Sequence, residues 1–288
     1  MVTSIAEKLE DFLANEPKIP DDIIFRASQM FNNKLGKFNF RRKGGARLPS
    51  MSQVGKPFCQ LHAEKLGWEK LPEVNSFKIK MLYGDMTEVI AVALLLAAGI
   101  EIVDLNKRVL LNTEAGDISG ELDLIIRDGN SYSLWDIKSA SKFAFEKKFE
   151  SYQALKDNDD FGYLEQLYGY TKAERTETPD IKAGGWIAIN KESGEMKVVP
   201  ADPDDEDQYT TKINNTITKY LEADETNFER CFEDEPETFY RKLTGNRKLH
   251  KTCTYCSFRY TCWPNLVYAK NPRSKSATAY NYYTVFKD

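Results

Sequence analysis

Residues 118–140 read ISGELDLIIRDGNSYSLWDIKSA, and the fold turns on how they pair. Two runs of branched and aromatic residues flank Asp128-Gly129-Asn130, a strong hairpin turn, and predict strands over 118–127 and 131–138. Asp136 and Lys138 lie two residues apart, so their side chains share one face with Tyr132 and Leu134. Trp135 and Ile137 take the other face, which must be packed. On the partner strand Asp123 is flanked by Leu122, Leu124, Ile125 and Ile126, where a carboxylate cannot stay ionised without a partner. Two neighbouring strand carboxylates repel unless a divalent cation lies between them, and a lysine beside them can hold or polarise a water.

Position, not the tripeptide, selects this pair. Acid-x-Lys occurs five times, at Glu16/Lys18, Asp136/Lys138, Glu146/Lys148, Asp180/Lys182 and Glu195/Lys197. Only Asp136 ends an apolar strand whose hairpin neighbour offers a second semi-buried acid. Glu195/Lys197 is also strand-like, but its partner GWIAIN brings no carboxylate, so a solvated edge is expected there.

Outward from the hairpin, a strand is expected over 101–111 and a helix over 80–98, stopped by Gly99. The segment VIAVALLLAA is apolar on every side and is expected to be buried. Glu88 sits where that pattern turns apolar, a costly place for a carboxylate; the alternative is a solvated first-turn glutamate favoured by the helix dipole. A helix over 160–174, a second hairpin from 185–190 and 195–199 about Ser193-Gly194, an acidic loop from 201 and a helix over 209–223 follow. At the N-terminus an amphipathic helix over 3–15 is ended by Pro17 and Pro20, a basic loop surrounds Gly44-Gly45, and a helix starts after Pro57. There is no internal repeat and no linker long enough to separate two domains. The pattern predicts an α/β (α+β) protein, a central mixed β-sheet flanked by helices.

The formal net charge of −4 on 288 residues speaks against a nucleic-acid partner until its distribution is read. Residues 23–63 contain no acid and carry +8, residues 238–287 contain none and carry +10, and −22 is left for the rest. Both segments interleave cations with aromatics: Phe25, Phe31, Phe38, Phe40 and Phe58 in the first, Tyr240, Tyr255, Tyr260, Tyr268, Tyr280, Tyr282 and Tyr283 in the second. Cations that neutralise phosphates and rings that stack on bases compose a single-strand-binding surface; the alternative is two solvated faces whose rings belong to the core. A hydrophobic content of 41% suffices for a core, and a charged fraction of 29% argues against wholesale disorder. The longest apolar run, 89–98, is half a bilayer span, and MVTSIAEKLEDFLANEP has charges where a signal peptide is apolar, so a cytoplasmic protein is expected.

Gly84-x-x-x-Glu88, Gly120-x-x-Asp123, Asp136-Ile137-Lys138 and Gln166-x-x-x-Tyr170, in that order over roughly residues 80–175, resemble the PD-(D/E)xK nuclease superfamily. The RecB-type branch, which includes phage exonucleases and the iron–sulfur nuclease of CRISPR adaptation, is the nearest resemblance. Many RecB-type members carry a His where this chain has Glu88, while other superfamily members use Glu. The resemblance implies a restriction-endonuclease-like core in which Glu88, Asp123, Asp136 and the Ile137 carbonyl bind one or two Mg²⁺ or Mn²⁺ and Lys138 orients the attacking water. Gln166 and Tyr170 share a helix face and would contact DNA or brace Lys138; the alternative is a tyrosine-lined core helix. The expected arrangement is a basic helical arm over 1–73, a nuclease core over 74–222 and a basic Cys-containing segment over 223–288 that packs with the arm as one integrated domain.

Cys253, Cys256 and Cys262 place three thiols within ten residues. Candidates for a fourth ligand are Cys59, Cys231 and His250. Cys59 is preferred because it lies in the other basic segment, where it would join residues 23–63 to 238–287; Cys231 is expected to be a lone core cysteine. A distant N-terminal Cys with a C-terminal trio resembles the iron–sulfur RecB-type members, which implies a structural 4Fe–4S cluster on Cys59, Cys253, Cys256 and Cys262. Zn²⁺ is the runner-up and plain buried thiols the third reading. The expected function is a metal-dependent DNA exonuclease acting on single-stranded ends or overhangs in replication, recombination or phage DNA metabolism. A structure-specific or CRISPR-adaptation endonuclease and an inactive DNA-binding iron–sulfur scaffold are the competing readings.

Overall fold

The computed structural model describes residues 2–15, 17–38, 48–72, 75–271, 273–275 and 279–287. Helices α1 (Val2–Ala14), α2 (Asp21–Phe38), α3 (Met51–Val54), α4 (Phe58–Lys65) and α5 (Asn75–Ala97) precede strands β1 (Glu101–Thr113), β2 (Gly116–Asp128) and β3 (Ser131–Ala140). Helices α6 (Lys142–Lys147), α7 (Tyr152–Asp157) and α8 (Tyr163–Glu174) lead to strands β4 (Lys182–Asn190) and β5 (Met196–Pro200) and helix α9 (Glu206–Glu222). Strands β6 (Glu235–Phe239) and β7 (Lys242–Lys248), short helices α10 (Lys251–Thr254) and α11 (Arg259–Cys262), and strands β8 (Val267–Lys270) and β9 (Tyr280–Val285) complete the chain. Two compact units result, Met1–Gly55 with Glu73–Thr218 and Lys56–Pro72 with Lys219–Asp288. Of the expected N-terminal arm, residues 56–72 thus cluster with the C-terminal segment, and residues 1–55 cluster with the large sheet.

In the first unit five strands run in the order β1-β2-β3-β4-β5. All neighbours are antiparallel except β3 and β4, whose parallel pairing requires the crossover through α6, α7 and α8. This is the expected mixed sheet flanked by helices. One face packs on α8, where Leu164, Leu167, Tyr168 and Tyr170 meet Leu122, Ile125, Leu134 and Trp186. The opposite face packs on α1 and α5, where Ile5, Leu9, Val92 and Leu95 meet Leu124, Ile126, Trp135 and Ile187. Burial of the apolar half of α5 is incomplete, because Ile90 is 57% exposed. α5 is covered by the sheet, α1 and α2, which leaves part of its circumference open.

Helix α2 goes beyond the elements expected from the sequence: Ile23, Ala27, Met30 and Leu35 fall on its inner face at helical spacing, with Lys34 buried among them. The basic loop at Gly44-Gly45, with Arg41, Arg42, Lys43 and Arg47, lies outside the described residues. The second unit also contains a sheet that no alternation in the sequence announced, antiparallel in the order β6-β7-β9-β8. Its interior is built on a carboxylate. Glu237 is buried and accepts hydrogen bonds from Thr244 Oγ1, Asn246 Nδ2, Asn271 Nδ2 and Tyr283 Oη at 2.8–3.1 Å. Those donors hold its carboxyl below the usual range despite burial. α4 joins this unit through His62, whose Nε2 donates to the Asp224 carbonyl at 2.8 Å and whose ring packs on Phe228. Among the described residues no helix is long and apolar enough to cross a membrane.

The start of α8 depends on a backbone crossing. Gly162 adopts φ +74°, and a Cβ there would lie 2.3 Å from Gly55 Cα. Gly162→Ala is expected to cost ~2 kcal/mol or more in chemical denaturation, from left-handed strain plus overpacking. Gly194→Ala, at φ +80° with open space around it, is expected to cost only ~1 kcal/mol. Equal costs would refute the crossing argument.

Candidate active site

The β2–β3 ladder pairs Asp128 with Ser131 and continues to Leu124 opposite Trp135, where it stops. Asp123 is the next residue of β2. Its Oδ2 accepts the Ile137 N–H at 2.7 Å, so a side chain satisfies a backbone donor just past the end of the ladder. The same point marks a change of phase in β2. Ile118 and Leu122 face the α8 side, whereas Leu124 and Ile126 face the α5 side. Across from it, Asn106 of β1 sits at φ +49°, a conformation asparagine tolerates.

Asp136 and Lys138 share a face, as their spacing requires. Asp136 is 1% exposed; its Oδ2 meets Lys138 Nζ at 2.6 Å, and its Oδ1 is buried with no hydrogen-bond partner. Burial pushes the Asp136 carboxyl above its ordinary range, with Lys138 pulling the other way. Burial also pushes Asp123 well up, reinforced by the charges of Asp136 and Glu88. Burial alone would lower Lys138, but Asp136 and Asp123 outweigh it and hold the ammonium charged well above its usual range.

Three further groups orient Lys138, all from α8. Lys138 Nζ donates to Gln166 Oε1 at 3.0 Å, and Gln166 Nε2 donates to Tyr170 Oη at 3.1 Å. Tyr170 lies flush on β2, where a Cβ on Gly120 would approach its ring to 2.3 Å; that contact accounts for the glycine. The pair thus stands in the bracing arrangement, one turn apart on a face turned to β3. Tyr163 is the third group, with Lys138 Nζ 4.7 Å from its ring centroid. The Gln166-x-x-x-Tyr170 spacing begins after it and so does not single it out in the sequence. Asp159 fixes the start of α8 by accepting the backbone N–H groups of Phe161, Tyr163 and Leu164 at 2.9–3.2 Å.

Glu88 reaches this cluster from α5 and adds its charge to both aspartates. It is not a solvated first-turn residue. Its Oε2 meets Lys34 Nζ of α2 at 2.6 Å and its Oε1 accepts from Asn106 Nδ2 at 2.5 Å, with the lysine side chain 9% and the glutamate 12% exposed. Lys34 was legible only as one cation of a basic segment.

In the second unit all five cysteines are free, and all line one cavity with Trp68, Phe228, Arg230 and Trp263. Cys231 differs from expectation: it is exposed, and its Sγ accepts the Cys59 N–H at 3.0 Å, so it joins the other four instead of standing alone in the core. The Cys59 thiol bears on Cys231 as well and brings its pKa down to about 6. His250 is occupied elsewhere. Its Nδ1 accepts the Thr252 N–H at 3.2 Å, its ring stacks on Phe232 at 4.4 Å, and it is not among the residues lining the cavity. Among the described residues no three His, Cys, Asp or Glu side chains are arranged to hold a metal ion.

No curated protein matches the chain in sequence. Among solved structures it is similar to the crystal structure of SSO0001 at 15% identity and a TM-score of 0.42, over 84% of this chain and 98% of that one. The decisive likeness is to a family model described as the PD-(D/E)XK nuclease superfamily, which matches residues 62–263, more than half of the chain. That span includes Glu88, Asp123, Asp136, Lys138, Gln166 and Tyr170, and by this match the chain belongs to the PD-(D/E)XK nuclease superfamily.

Proposed function

We propose that the chain is a metal-dependent DNA exonuclease of the RecB-type branch, acting at single-stranded ends or overhangs in replication, recombination or phage DNA metabolism. The observation that carries this reading is the convergence of Asp123, Asp136 and Lys138 at the end of the β2–β3 ladder, a half-buried and a buried acid held beside a braced ammonium. The buried, unpartnered Asp136 Oδ1 is an oxygen that a hard cation would satisfy. Asp123, Asp136 and the Ile137 carbonyl would hold Mg²⁺ or Mn²⁺, with Glu88 as a further ligand once freed from Lys34 and Asn106. Bound there, such an ion lowers the pKa of water and stabilises the leaving oxygen of a phosphodiester.

The chain's own groups do the rest. Lys138, kept charged by the aspartates, positions the attacking water and offers its charge to the phosphate. Gln166 and Tyr170 hold the ammonium in one rotamer, which limits the positions that water can take. Tyr163 and the packed face of α8 shield the lysine from bulk solvent and so strengthen its field.

The cysteine cavity supports the second half of the reading, a structural 4Fe–4S cluster held by Cys59, Cys253, Cys256 and Cys262, with Cys231 as an adjacent fifth thiol. Soft sulfur donors from three separated stretches of chain, gathered on one cavity, fit a metal–sulfur group in donor chemistry. A cluster there would join α4 to the C-terminal sheet in a unit whose apolar core is small. Nothing in phosphodiester hydrolysis calls on it for an electron.

Lys138→Ala is expected to reduce Mg²⁺-dependent cleavage of end-labelled linear DNA at least ~100-fold while leaving DNA binding nearly intact. Since it also strips the partner from buried Asp136, Lys138→Arg serves as the folded control; a melting scan reports stability, and full activity in either variant would refute the assignment. Linear single strands are expected to be degraded and closed circular single strands left whole; cutting of the circle would establish the endonuclease reading. Protein purified without oxygen is expected to be brown, with a broad absorbance band near ~400 nm and about four irons per chain. A colourless, zinc-containing sample would overturn the cluster.

A further inference from the structure

The geometry points to a single-strand-binding platform on the outer face of the second unit's sheet, formed by Tyr268, Tyr280 and Tyr282 with Tyr260, Arg259 and Lys270. Its proposed occupant is single-stranded DNA, whose unpaired bases stack on the rings. The choice of DNA rests on the nuclease reading, but the stacking surface does not.

Pairing in the sheet puts these residues together. β8 and β9 run antiparallel, with Tyr268 opposite Tyr282 and Lys270 opposite Tyr280, so all four side chains share one face. The Tyr268 ring lies 4.6 Å from Tyr282 and 5.3 Å from Tyr280, centroid to centroid. From α11, Tyr260 meets Tyr282 edge-on at 6.2 Å, and the Arg259 guanidinium lies 4.7 Å from the Tyr282 ring centre and 5.4 Å from that of Tyr260. Arg259 Nη1 donates to the Cys256 carbonyl at 3.0 Å, which fixes the cation against the rings.

This face is not needed for the unit's own core. The next residue of β9, Tyr283, points the other way, is fully buried and donates to Glu237. By contrast Tyr268, Tyr280 and Tyr260 are 56%, 46% and 40% exposed. A cluster of rings left in water, held in register by a sheet and backed by a fixed cation, is an arrangement that sequence-tolerant single-strand binders use. Charge complementarity selects the occupant. Residues 238–287 carry ten cations and no acid, and Lys270 and Arg273 are exposed beside or on these strands. A polyanion with π-faces matches both features, whereas an acidic peptide would match only the charge.

The test measures binding apart from cleavage. The full-length protein in EDTA is titrated against a fluorescein-labelled oligo(dT) 15-mer and a duplex of the same length, by anisotropy. Tyr268→Ala and Tyr280→Ala are each expected to weaken oligo(dT) binding about tenfold and duplex binding far less, while Tyr268→Phe and Tyr280→Phe bind like the parent. Lys270→Ala is expected to reduce the salt slope by about one. Unchanged oligo(dT) affinity in both alanine variants would overturn the platform, as would an equal loss with phenylalanine or an equal loss on duplex. Thermal melting separates misfolding from loss of the surface. Because no cleavage is read, an inactive Lys138→Ala control would not affect the result, and a fully active one would refute the catalytic assignment alone.

Discussion

A single backbone donor organises the first unit. Past Leu124 and Trp135 the β2–β3 ladder gives out, and the Ile137 N–H is taken by the side chain of Asp123. Satisfying that donor draws a carboxylate into the apolar seam of the sheet, beside Asp136. Two neighbouring acids largely withdrawn from water cannot both be charged without compensation. The ammonium of Lys138 supplies it, and α8 must then stand where Gln166, Tyr170 and Tyr163 can hold that ammonium. Gly120 and Gly162 lack side chains because the helix and its approach come that close to the backbone. The stance of α8 over Lys138, the glycine at 120 and the electrostatics of the cluster all meet at that interrupted ladder.

Glu88 shows the same economy in another form. Its carboxylate is largely covered on α5, and Lys34 and Asn106 engage both its oxygens. α2, which carries Lys34, is thereby tied to the site by a charge pair as well as by packing. The second unit rests on different physics. Its buried apolar set is small, including Leu249, Phe258 and Tyr283, and its sheet closes over a glutamate met by five side-chain donors. Five free cysteines line a neighbouring cavity of the same unit.

Much of this was legible. Local pattern fixed the 128–130 turn, the strands beside it, α5, α8 and α9 to within a few residues, because period-2 and period-3.6 burial leave direct marks. The i, i+2 relation of Asp136 and Lys138 and the i, i+4 relation of Gln166 and Tyr170 follow from strand and helix geometry alone. The mark on α2 is blurred: Ile23, Ala27, Met30 and Leu35 share its inner face, but Lys34 is buried with them while Ile24, Phe25 and Phe31 stay exposed, so apolar residues do not sort by face. The second sheet left none: β6 and β8 are five and four residues long, and their interior partner is a carboxylate, so the strand pattern lacks its usual alternation. The company of Cys231 is not encoded by spacing, because it depends on Cys59, more than a hundred residues away in the chain.

The sequence by itself determined the mixed α/β class, the hairpin with its paired acid and lysine, the segregation of charge into two acid-free stretches and the grouping of three thiols. Each of these is a property of neighbours along the chain. Only the tertiary structure decided that Asp123 replaces a strand partner at Ile137, that Tyr163 joins the brace on Lys138, that Lys34 neutralises Glu88, and that Tyr268 meets Tyr280 and Tyr282 on an open face. These rest on side chains far apart in sequence, and their energies are set by burial and distance, quantities that exist only once the chain has folded.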